Sequence, residues 1–201
     1  MKIFGRIVMA ISVACLASSA TSSLSADEKT KGGQVNVGDP APAFESTDDQ
    51  GNPWKSTDHV GKKILVVYFY PADLTGGCTA QACGYRDDMN KLADKGVEVV
   101  GVSGDSVANH QKFKKAKELK FTLLADEDGS VAKKFGVTVR AGGEAKVKDA
   151  DGNPIVLKRG VTIDRWTFVI GKDGKVIYKN PKVAAAQDSK QILEVIEKQS
   201  Q

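Results

Sequence analysis

The 201-residue sequence has little histidine, little cysteine and only a small excess of one charge. Its two histidines, His59 and His110, stand far apart, which argues against a zinc site or a Ser-His-Asp triad. Its 29 basic and 25 acidic residues leave a net charge of +4, without the concentrated basic patch that is typical of nucleic-acid binders. We therefore expect no nucleic-acid partner, and we expect any catalysis to rest on cysteine, carboxylate or arginine.

Long hydrophobic runs and internal repeats are also absent. No apolar stretch reaches the about 20 residues that cross a bilayer, and no unit of about 20–50 residues recurs, so we expect no membrane span, solenoid or propeller. Hydrophobic residues still make up 41% of the chain, which excludes a disordered chain. The length and composition predict one domain of ordinary size with a short appendage.

Residues 1–26 are predicted to be that appendage, a secretory signal peptide. Two basic residues precede a mostly apolar stretch, residues 7–17, and small residues follow it. One alternative is a helix of the core, which the polar linker 27–34 argues against. The other is a lipoprotein signal anchored at Cys15, which the residues before Cys15 fit poorly. The prediction is an exported protein, either periplasmic or secreted.

Removal of residues 1–26 changes both the charge and the cysteine count. The mature chain, with its domain at 35–201, loses two basic residues and no acidic one, so its net charge falls from +4 to +2. It also loses Cys15. The cysteines that remain, Cys78 and Cys83, are an even number in a compartment that is expected to be oxidising.

A strand–helix–strand unit occupies the centre of the sequence. Residues 64–70 form a continuous β-branched and aromatic run that ends at Pro71, which is typical of a strand buried on both faces. A segment with apolar residues at helical spacing follows and ends near Lys95-Gly96. Residues 97–102 have the pattern of a second strand, so the three elements predict a βαβ unit with parallel strands.

The remaining elements complete an α/β fold. We predict a helix that starts at Asp105 or Ser106, then a short strand, a β-hairpin and a final helix. Short N-terminal strands are expected within 35–60, and an inserted hairpin near 138–160. This order predicts a thioredoxin-like fold, with a central mixed β-sheet flanked by helices. We predict the short strand at residues 121–124, the hairpin at 165–178 and the final helix at 189–198.

Cys78 is the main candidate for catalysis. It follows the buried strand and a loop, at the predicted first turn of the helix, where unpaired N–H groups and the helix dipole favour a thiolate, the nucleophilic form. Gly76 and Gly77 allow the backbone to approach a small ligand, and the Thr75 hydroxyl could point into the same pocket. A buried, inert cysteine is the alternative, and the composition of the loop argues against it.

Cys83 stands five residues after Cys78. In a continuous helix their two Cα atoms would lie about 8–9 Å apart, beyond the about 4.4–6.8 Å that a disulfide allows. A bond between them needs at least one unwound turn, and so short a loop would stabilise the fold little. The pair is more consistent with a redox couple that cycles between a folded dithiol and a locally unfolded disulfide.

The segment from Pro71 to Cys78 fits the pattern P-x-x-x-T-x-x-C. With its flanking residues, from Tyr68 to Asp87, it closely resembles the peroxiredoxins of the Q type, or bacterioferritin comigratory protein type, in the thioredoxin-like superfamily. The resemblance covers about residues 35–198. Further matching segments are residues 37–44, 103–106, 123–126 and 165–174.

This resemblance implies a thiol-dependent peroxidase that reduces hydrogen peroxide and organic hydroperoxides without a cofactor or a metal. Cys78 would be the peroxidatic cysteine, attacking a peroxide oxygen as a thiolate and becoming a sulfenic acid. Thr75 would hydrogen-bond the peroxide, Arg165 would stabilise the thiolate and the leaving oxygen, and Pro71 would shield the sulfur from water. Backbone N–H groups at Gly77 and Cys78 would complete the substrate site.

The resemblance also implies how the cycle closes. Cys83 would be the resolving cysteine, forming an intrachain Cys78–Cys83 disulfide that thioredoxin or a thioredoxin-like dithiol then reduces. Because this resolution needs no partner subunit, we expect a monomer, with a dimer as the alternative. The sequence departs from the family at Gly76, where Q-type proteins usually have proline, in the longer insertion at 138–160, and in its signal sequence.

Three other functions compete with the peroxidase. An exported thioredoxin-fold disulfide oxidoreductase would generally carry C-x-x-C, whereas the spacing here is C-x4-C. A non-enzymatic peroxide sensor would use the same cysteine without turnover. A metal-binding domain ranks last, because two cysteines and two distant histidines are a poor set of ligands.

Overall fold

The computed structural model describes Met1 and residues 34–199, so the predicted signal peptide, Cys15 and all but the last residue of the predicted linker lie outside the described residues. Within residues 34–199, no helix combines the length and apolarity needed to cross a bilayer. The strands are β1 (Glu45–Asp48), β2 (Pro53–Lys55), β3 (Ile64–Phe69), β4 (Val97–Ser103), β5 (Thr122–Ala125), β6 (Val139–Lys148), β7 (Pro154–Ile163), β8 (Trp166–Ile170) and β9 (Val176–Asn180). The α-helices are α1 (Gly76–Asp94), α2 (Val107–Lys117), α3 (Ser130–Lys134) and α4 (Asp188–Gln199), with 3-10 turns at Ser56–Asp58 and Ala185–Gln187.

Seven strands of the described part form one mixed sheet, in the order β2-β1-β5-β4-β3-β8-β9. β3, β4 and β5 run parallel, and the other strands pair antiparallel to their neighbours. The predicted apolar run forms β3 near the centre of the sheet, and its side chains from Val66 to Phe69 are fully buried. α1 connects the parallel strands β3 and β4, which confirms the predicted βαβ unit.

Helices cover both faces of this sheet. On one face, Tyr85 of α1, Phe113 of α2 and Ile192 of α4 share a buried cluster with side chains of β3. On the other face, α3 and its C-cap Phe135 pack with Trp54 of β2 and with β8. This burial of apolar surface on both faces confirms the predicted mixed sheet flanked by helices.

The ends of the elements follow the predicted signals closely. α1 stops at Asp94, and Gly96 adopts the left-handed φ of +69° that closes the helix. Ser106 caps α2 by accepting from the Asn109 N–H. β8 begins at Trp166, so Arg165 precedes the strand instead of opening it. The five-residue helix α3 is absent from the prediction, because it is too short to show a helical period.

The predicted inserted hairpin is formed by β6 and β7, which pair antiparallel and lie outside the seven-stranded sheet. It docks at the end of β4, where the Gly160 N–H donates to the Gly104 carbonyl at 3.0 Å. The Asn109 amide of α2 also donates to the Lys158 carbonyl at 2.8 Å. A Cβ on Gly104 would lie 2.1 Å from the Val161 carbonyl oxygen, so this close approach requires glycine.

A buried polar network holds the loop between β3 and α1. Asp73 of this loop accepts from the Tyr70 hydroxyl at 2.7 Å and pairs with His110 Nδ1 of α2 at 2.8 Å. Its N–H donates to the Asp105 carboxylate at 3.0 Å. Burial lowers the pKa of His110, but the charge and hydrogen bond of Asp73, with Asp105, raise that pKa above its ordinary value. The loop is thus anchored to α2 through a buried histidine whose protonated form Asp73 favours.

We expect His110→Leu to lower the free energy of unfolding by about 3–5 kcal/mol at pH 6, because it leaves the Asp73 carboxylate buried without its charged partner. The stability that charged His110 contributes is fully present below its ordinary pKa of about 6.5. It is lost as the pH rises through the raised pKa of the folded state. The difference between wild type and variant in urea unfolding should therefore narrow from pH 6 to pH 9.

His59→Leu is the matched control, since His59 pairs with Glu98 at 2.8 Å at the surface, where their side chains are 26% and 22% exposed. We expect this change to lower the free energy of unfolding by at most about 1 kcal/mol. A His110→Leu protein as stable at pH 6 as the control would contradict the anchoring role of the buried pair.

Candidate active site

Cys78 is the third residue of α1, and it is only 1% exposed. Thr75 is the N-cap of this helix, and its carbonyl accepts from the Thr79 N–H at 2.8 Å. The Thr75 hydroxyl makes no capping bond and instead donates to the Ala72 carbonyl at 2.9 Å. The N–H groups of the first turn therefore have no side-chain cap, and the positive end of the helix dipole lies beside the sulfur.

Arg165 reaches Cys78 because β3 pairs with β8. The two strands are antiparallel, and Phe69 at the end of β3 faces Trp166 at the start of β8. Arg165, just before β8, consequently lies beside the loop that follows β3. Its Nη2 donates to Cys78 Sγ at 3.1 Å. This contact places a positively charged donor directly beside the sulfur, and hydrogen bonds from charged donors are the stronger ones.

Gly77 lies against the same guanidinium. A Cβ built on Gly77 would be 3.4 Å from Arg165 Nη2, whereas one on Gly76 would meet nothing within 4 Å. Both glycines are exposed although Cys78 is buried. The structure therefore brings Cys78, Gly77 and Arg165 together, with a backbone that a small molecule can approach from solvent.

Pro71 and Thr75 stand at the two ends of the loop that leads into α1. Both are half-buried. The Thr75 side chain is fixed by its bond to Ala72, and its oxygen retains lone pairs that can accept a further hydrogen bond. The roles predicted for Pro71 and Thr75 toward a substrate remain predictions.

Gln81 and Asp188 are site residues that the sequence analysis missed. The Gln81 carbonyl oxygen accepts from Arg165 Nη1, and its amide nitrogen donates to Asp188 Oδ2 at 2.7 Å. Gln81 follows Cys78 by three residues in α1, so helical spacing could have identified it. No local signal points to Asp188, which is 107 residues from Gln81 in the sequence.

Cys83 lies in the same unbroken helix and is half-buried. Its thiol and that of Cys78 are both free. Five positions of an ideal helix separate their Cα atoms by about 8–9 Å, so the folded helix represents the dithiol form.

The arrangement can perform nucleophilic chemistry at sulfur. It combines a buried thiol, a guanidinium, uncapped backbone N–H groups and a second thiol on the same helix. Within residues 34–199, no three His, Cys, Asp or Glu side chains are grouped so that they could hold a metal ion.

Comparison with known sequences identifies the family. A model of the AhpC/TSA family matches residues 37–179, more than half of the chain. Peroxiredoxin Bcp of Escherichia coli (strain K12) is 39% identical over 142 residues, which are 71% of this chain and 83% of that protein. Peroxiredoxin Q, chloroplastic, of Oryza sativa subsp. japonica is 41% identical over 146 residues, 73% of this chain and 59% of that protein.

Solved structures agree with these sequence matches. Peroxidoxin BcpB of Mycobacterium tuberculosis has a TM-score of 0.68 and 28% identity, covering 82% of this chain and 98% of its own. The bacterioferritin comigratory protein of Xanthomonas campestris has a TM-score of 0.63 and 25% identity, covering 79% of this chain and 92% of its own. These matches confirm the thioredoxin-like fold and the resemblance of the active-site segment. The chain therefore belongs to the AhpC/TSA family, with relatives of the Bcp and peroxiredoxin Q type, and is a thiol-dependent peroxidase.

Proposed function

We propose that the chain reduces hydrogen peroxide and organic hydroperoxides with Cys78 as peroxidatic and Cys83 as resolving cysteine, and that thioredoxin or a thioredoxin-like dithiol is the reductant. The observation that carries this proposal is the 3.1 Å contact between Arg165 Nη2 and Cys78 Sγ at the N-terminus of α1. It puts a positive charge where a thiolate has to be held and where an oxygen becomes negative during the reaction.

In the first step, the Cys78 thiolate attacks one oxygen of the peroxide. An S–O bond forms and the O–O bond breaks, so the sulfur is oxidised to a sulfenic acid and the peroxide is reduced. The departing hydroxide or alkoxide takes a proton and leaves as water or an alcohol. Arg165 stabilises the thiolate before the attack and the negative oxygen during it.

The loop and the first turn of α1 orient the peroxide for this attack. The Thr75 proton is committed to the Ala72 carbonyl, so the Thr75 oxygen accepts from the peroxide O–H. The N–H groups of Gly77 and Cys78 donate to a peroxide oxygen from the uncapped helix end. Pro71, half-buried at the start of the loop, limits the access of water to the sulfur.

In the second step, the Cys83 thiol attacks the Cys78 sulfenic acid, an S–S bond forms and water leaves. The first turns of α1 have to unwind for this step, which breaks the bonds of Cys78 to Arg165 and of Gln81 to Asp188. The rest of α1 has separate anchors: Tyr85 donates to Asp188 at 2.7 Å, and Arg86 Nη1 donates to a carbonyl of α2 at 2.8 Å. We therefore expect unwinding to stop before Tyr85.

We expect Cys78→Ser to abolish peroxide turnover and Cys83→Ser to consume about one peroxide per protein and then stall without a small thiol. The reason is that the first variant lacks the nucleophile and the second lacks the group that condenses with the sulfenic acid. Turnover is measured with excess thioredoxin and reductase, and mass mapping of the oxidised wild type should show a Cys78–Cys83 bond.

The same assay separates the alternatives. A sensor would oxidise once and show no turnover with excess reductant, and a disulfide oxidoreductase would exchange thiols in Cys78→Ser or without peroxide. Undiminished thioredoxin-coupled cycling of Cys83→Ser would remove Cys83 from the resolving step.

Arg165→Ala should slow the oxidation of Cys78 by hydrogen peroxide by about 100- to 1000-fold, the usual effect of removing one donor that stabilises a developing oxyanion. The second-order rate constant can be followed by stopped-flow fluorescence of the neighbouring Trp166. Arg140→Ala is the matched control, because Arg140 pairs with Asp164 at the surface and should leave the rate unchanged. Equal rates for Arg165→Ala and the control would refute the proposed role of Arg165.

We further propose that residues 1–26 are cleaved as a signal peptide, that residues 27–34 are a polar linker, and that the domain of residues 35–201 acts as a monomer in the periplasm or outside the cell. The basic start, the short apolar stretch and the small residues after it support this proposal. An intrachain resolving cysteine supports the monomer, with a dimer as the alternative.

Expression of the full chain in a Gram-negative host tests the export proposal. We expect periplasmic or secreted protein whose N-terminus, read by sequencing, follows residue 26, while a chain without residues 2–26 stays in the cytoplasm. Exported protein that still begins at Met1, or retention of the full chain in the cytoplasm, would contradict it.

A further inference from the structure

Asp188, the first residue of α4, is fully buried, although a carboxylate is costly to remove from water. Its Oδ2 accepts three hydrogen bonds, from Gln81 Nε2 at 2.7 Å, the Tyr85 hydroxyl at 2.7 Å and the Thr167 hydroxyl at 2.8 Å. Burial raises the pKa of Asp188 above its ordinary value, although these three bonds and the positive charge of Arg165 lower it. The carboxylate thus joins α1 and β8 at the active-site end of the sheet.

The contact with Asp188 decides how the Gln81 amide is oriented. Oδ2 of Asp188 is the acceptor in all three of its hydrogen bonds, so the NH2 group of Gln81 has to face it. Its carbonyl oxygen then has to face Arg165, where it accepts from Nη1. Without Asp188 the amide could rotate and present its NH2 group to the guanidinium, which can only donate.

Resting on the proposed roles of Cys78 and Arg165, we infer that Asp188 is a positioning residue for the peroxidatic reaction. It fixes the Gln81 carbonyl toward Arg165 Nη1, and this second anchor directs Nη2 of the same planar guanidinium onto Cys78 Sγ at 3.1 Å. A guanidinium held at both nitrogens has one orientation, whereas one held only by the sulfur can rotate away.

Two other roles for Asp188 predict different results. As a purely structural link between α4 and α1, it would affect stability and leave the chemistry unchanged. As a plain negative charge near Arg165, the buried Tyr68 and Tyr85 and the half-buried Tyr178, it would oppose the thiolate, so its removal would make the thiolate form more readily. As a positioning residue it has the opposite effect, because losing it loosens the donor that stabilises the thiolate.

The test is Asp188→Leu in the full chain, which removes the acceptor oxygens, with the rate of Cys78 oxidation by hydrogen peroxide measured from pH 4 to pH 9. We expect the midpoint of the pH profile to rise by about one unit, so that the rate at pH values below the wild-type midpoint falls about 10-fold. An unchanged midpoint, or a lower one, would overturn the inference.

Asp88→Leu is the matched control. Asp88 is a buried carboxylate at the same contact of α1 with α4, where it accepts from Ser189 at 2.9 Å, but its bonds do not lead to Arg165. This variant should lower the melting temperature and leave the pH midpoint where it is in the wild type. If Asp88→Leu moved the midpoint as far as Asp188→Leu, the effect would be one of packing between the helices, and the inference would fail.

Gln81→Met provides the decisive comparison, since it removes the side chain that connects Asp188 to Arg165 and leaves Asp188 bonded to Tyr85 and Thr167. We expect it to raise the midpoint as Asp188→Leu does, and we expect the double variant to shift it no further than either single one. Additive shifts, or a wild-type midpoint in Gln81→Met, would overturn the inference even if Asp188→Leu failed to fold. If wild-type Cys78 did not react with peroxide, the proposed function itself would be wrong.

Discussion

The site depends on one contact, that between the Arg165 guanidinium and the sulfur of Cys78. The sulfur is almost fully buried, so water cannot solvate its charge, and the protein has to supply both the donor and the positive charge. The antiparallel pairing of β3 with β8 brings these two residues together, because the loop into α1 leaves the end of β3 where Arg165 enters β8. The sheet topology thereby determines the chemistry of the site.

The same site has to be rigid for peroxide attack and mobile for resolution. The polar groups that hold it lie on two sides: Asp73 and His110 hold the loop, while Gln81, itself bonded to Asp188, accepts from the guanidinium. The helix between them begins with two exposed glycines, Gly76 and Gly77, which weaken its first turn. Unwinding can therefore start at the N-terminus of α1 while the loop and the C-terminal part of the helix stay fixed.

The sequence predicts the parts of this protein that local pattern determines. The buried run of β3, the spacing of Cys78 and Cys83 and the segment around Arg165 all carry their signal within a few residues, and the mixed sheet follows from their order. Long-range polar contacts carry no such signal. Asp188 stands more than a hundred residues from Gln81, and His110 is 37 residues from Asp73, so only the packing of α2 and α4 brings them to the site. The five residues of α3 escape prediction for another reason, since they span little more than one helical turn.

These contacts show what one of the two histidines, His110, does in the structure. His110 lies under the active-site loop, but its Nδ1 is committed to Asp73 and the ring is fully buried, so it is not placed to act as a base for Cys78. Asp73 would otherwise leave a negative charge in the environment of the thiolate, since the charges of Asp73 and Cys78 both act on Tyr68. When His110 is protonated, its charge offsets that of Asp73 at close range, and the raised pKa of His110 extends the pH range over which this pairing holds. The histidine therefore acts on the carboxylate that fixes the loop, while Arg165 and the helix N-terminus act on the sulfur itself.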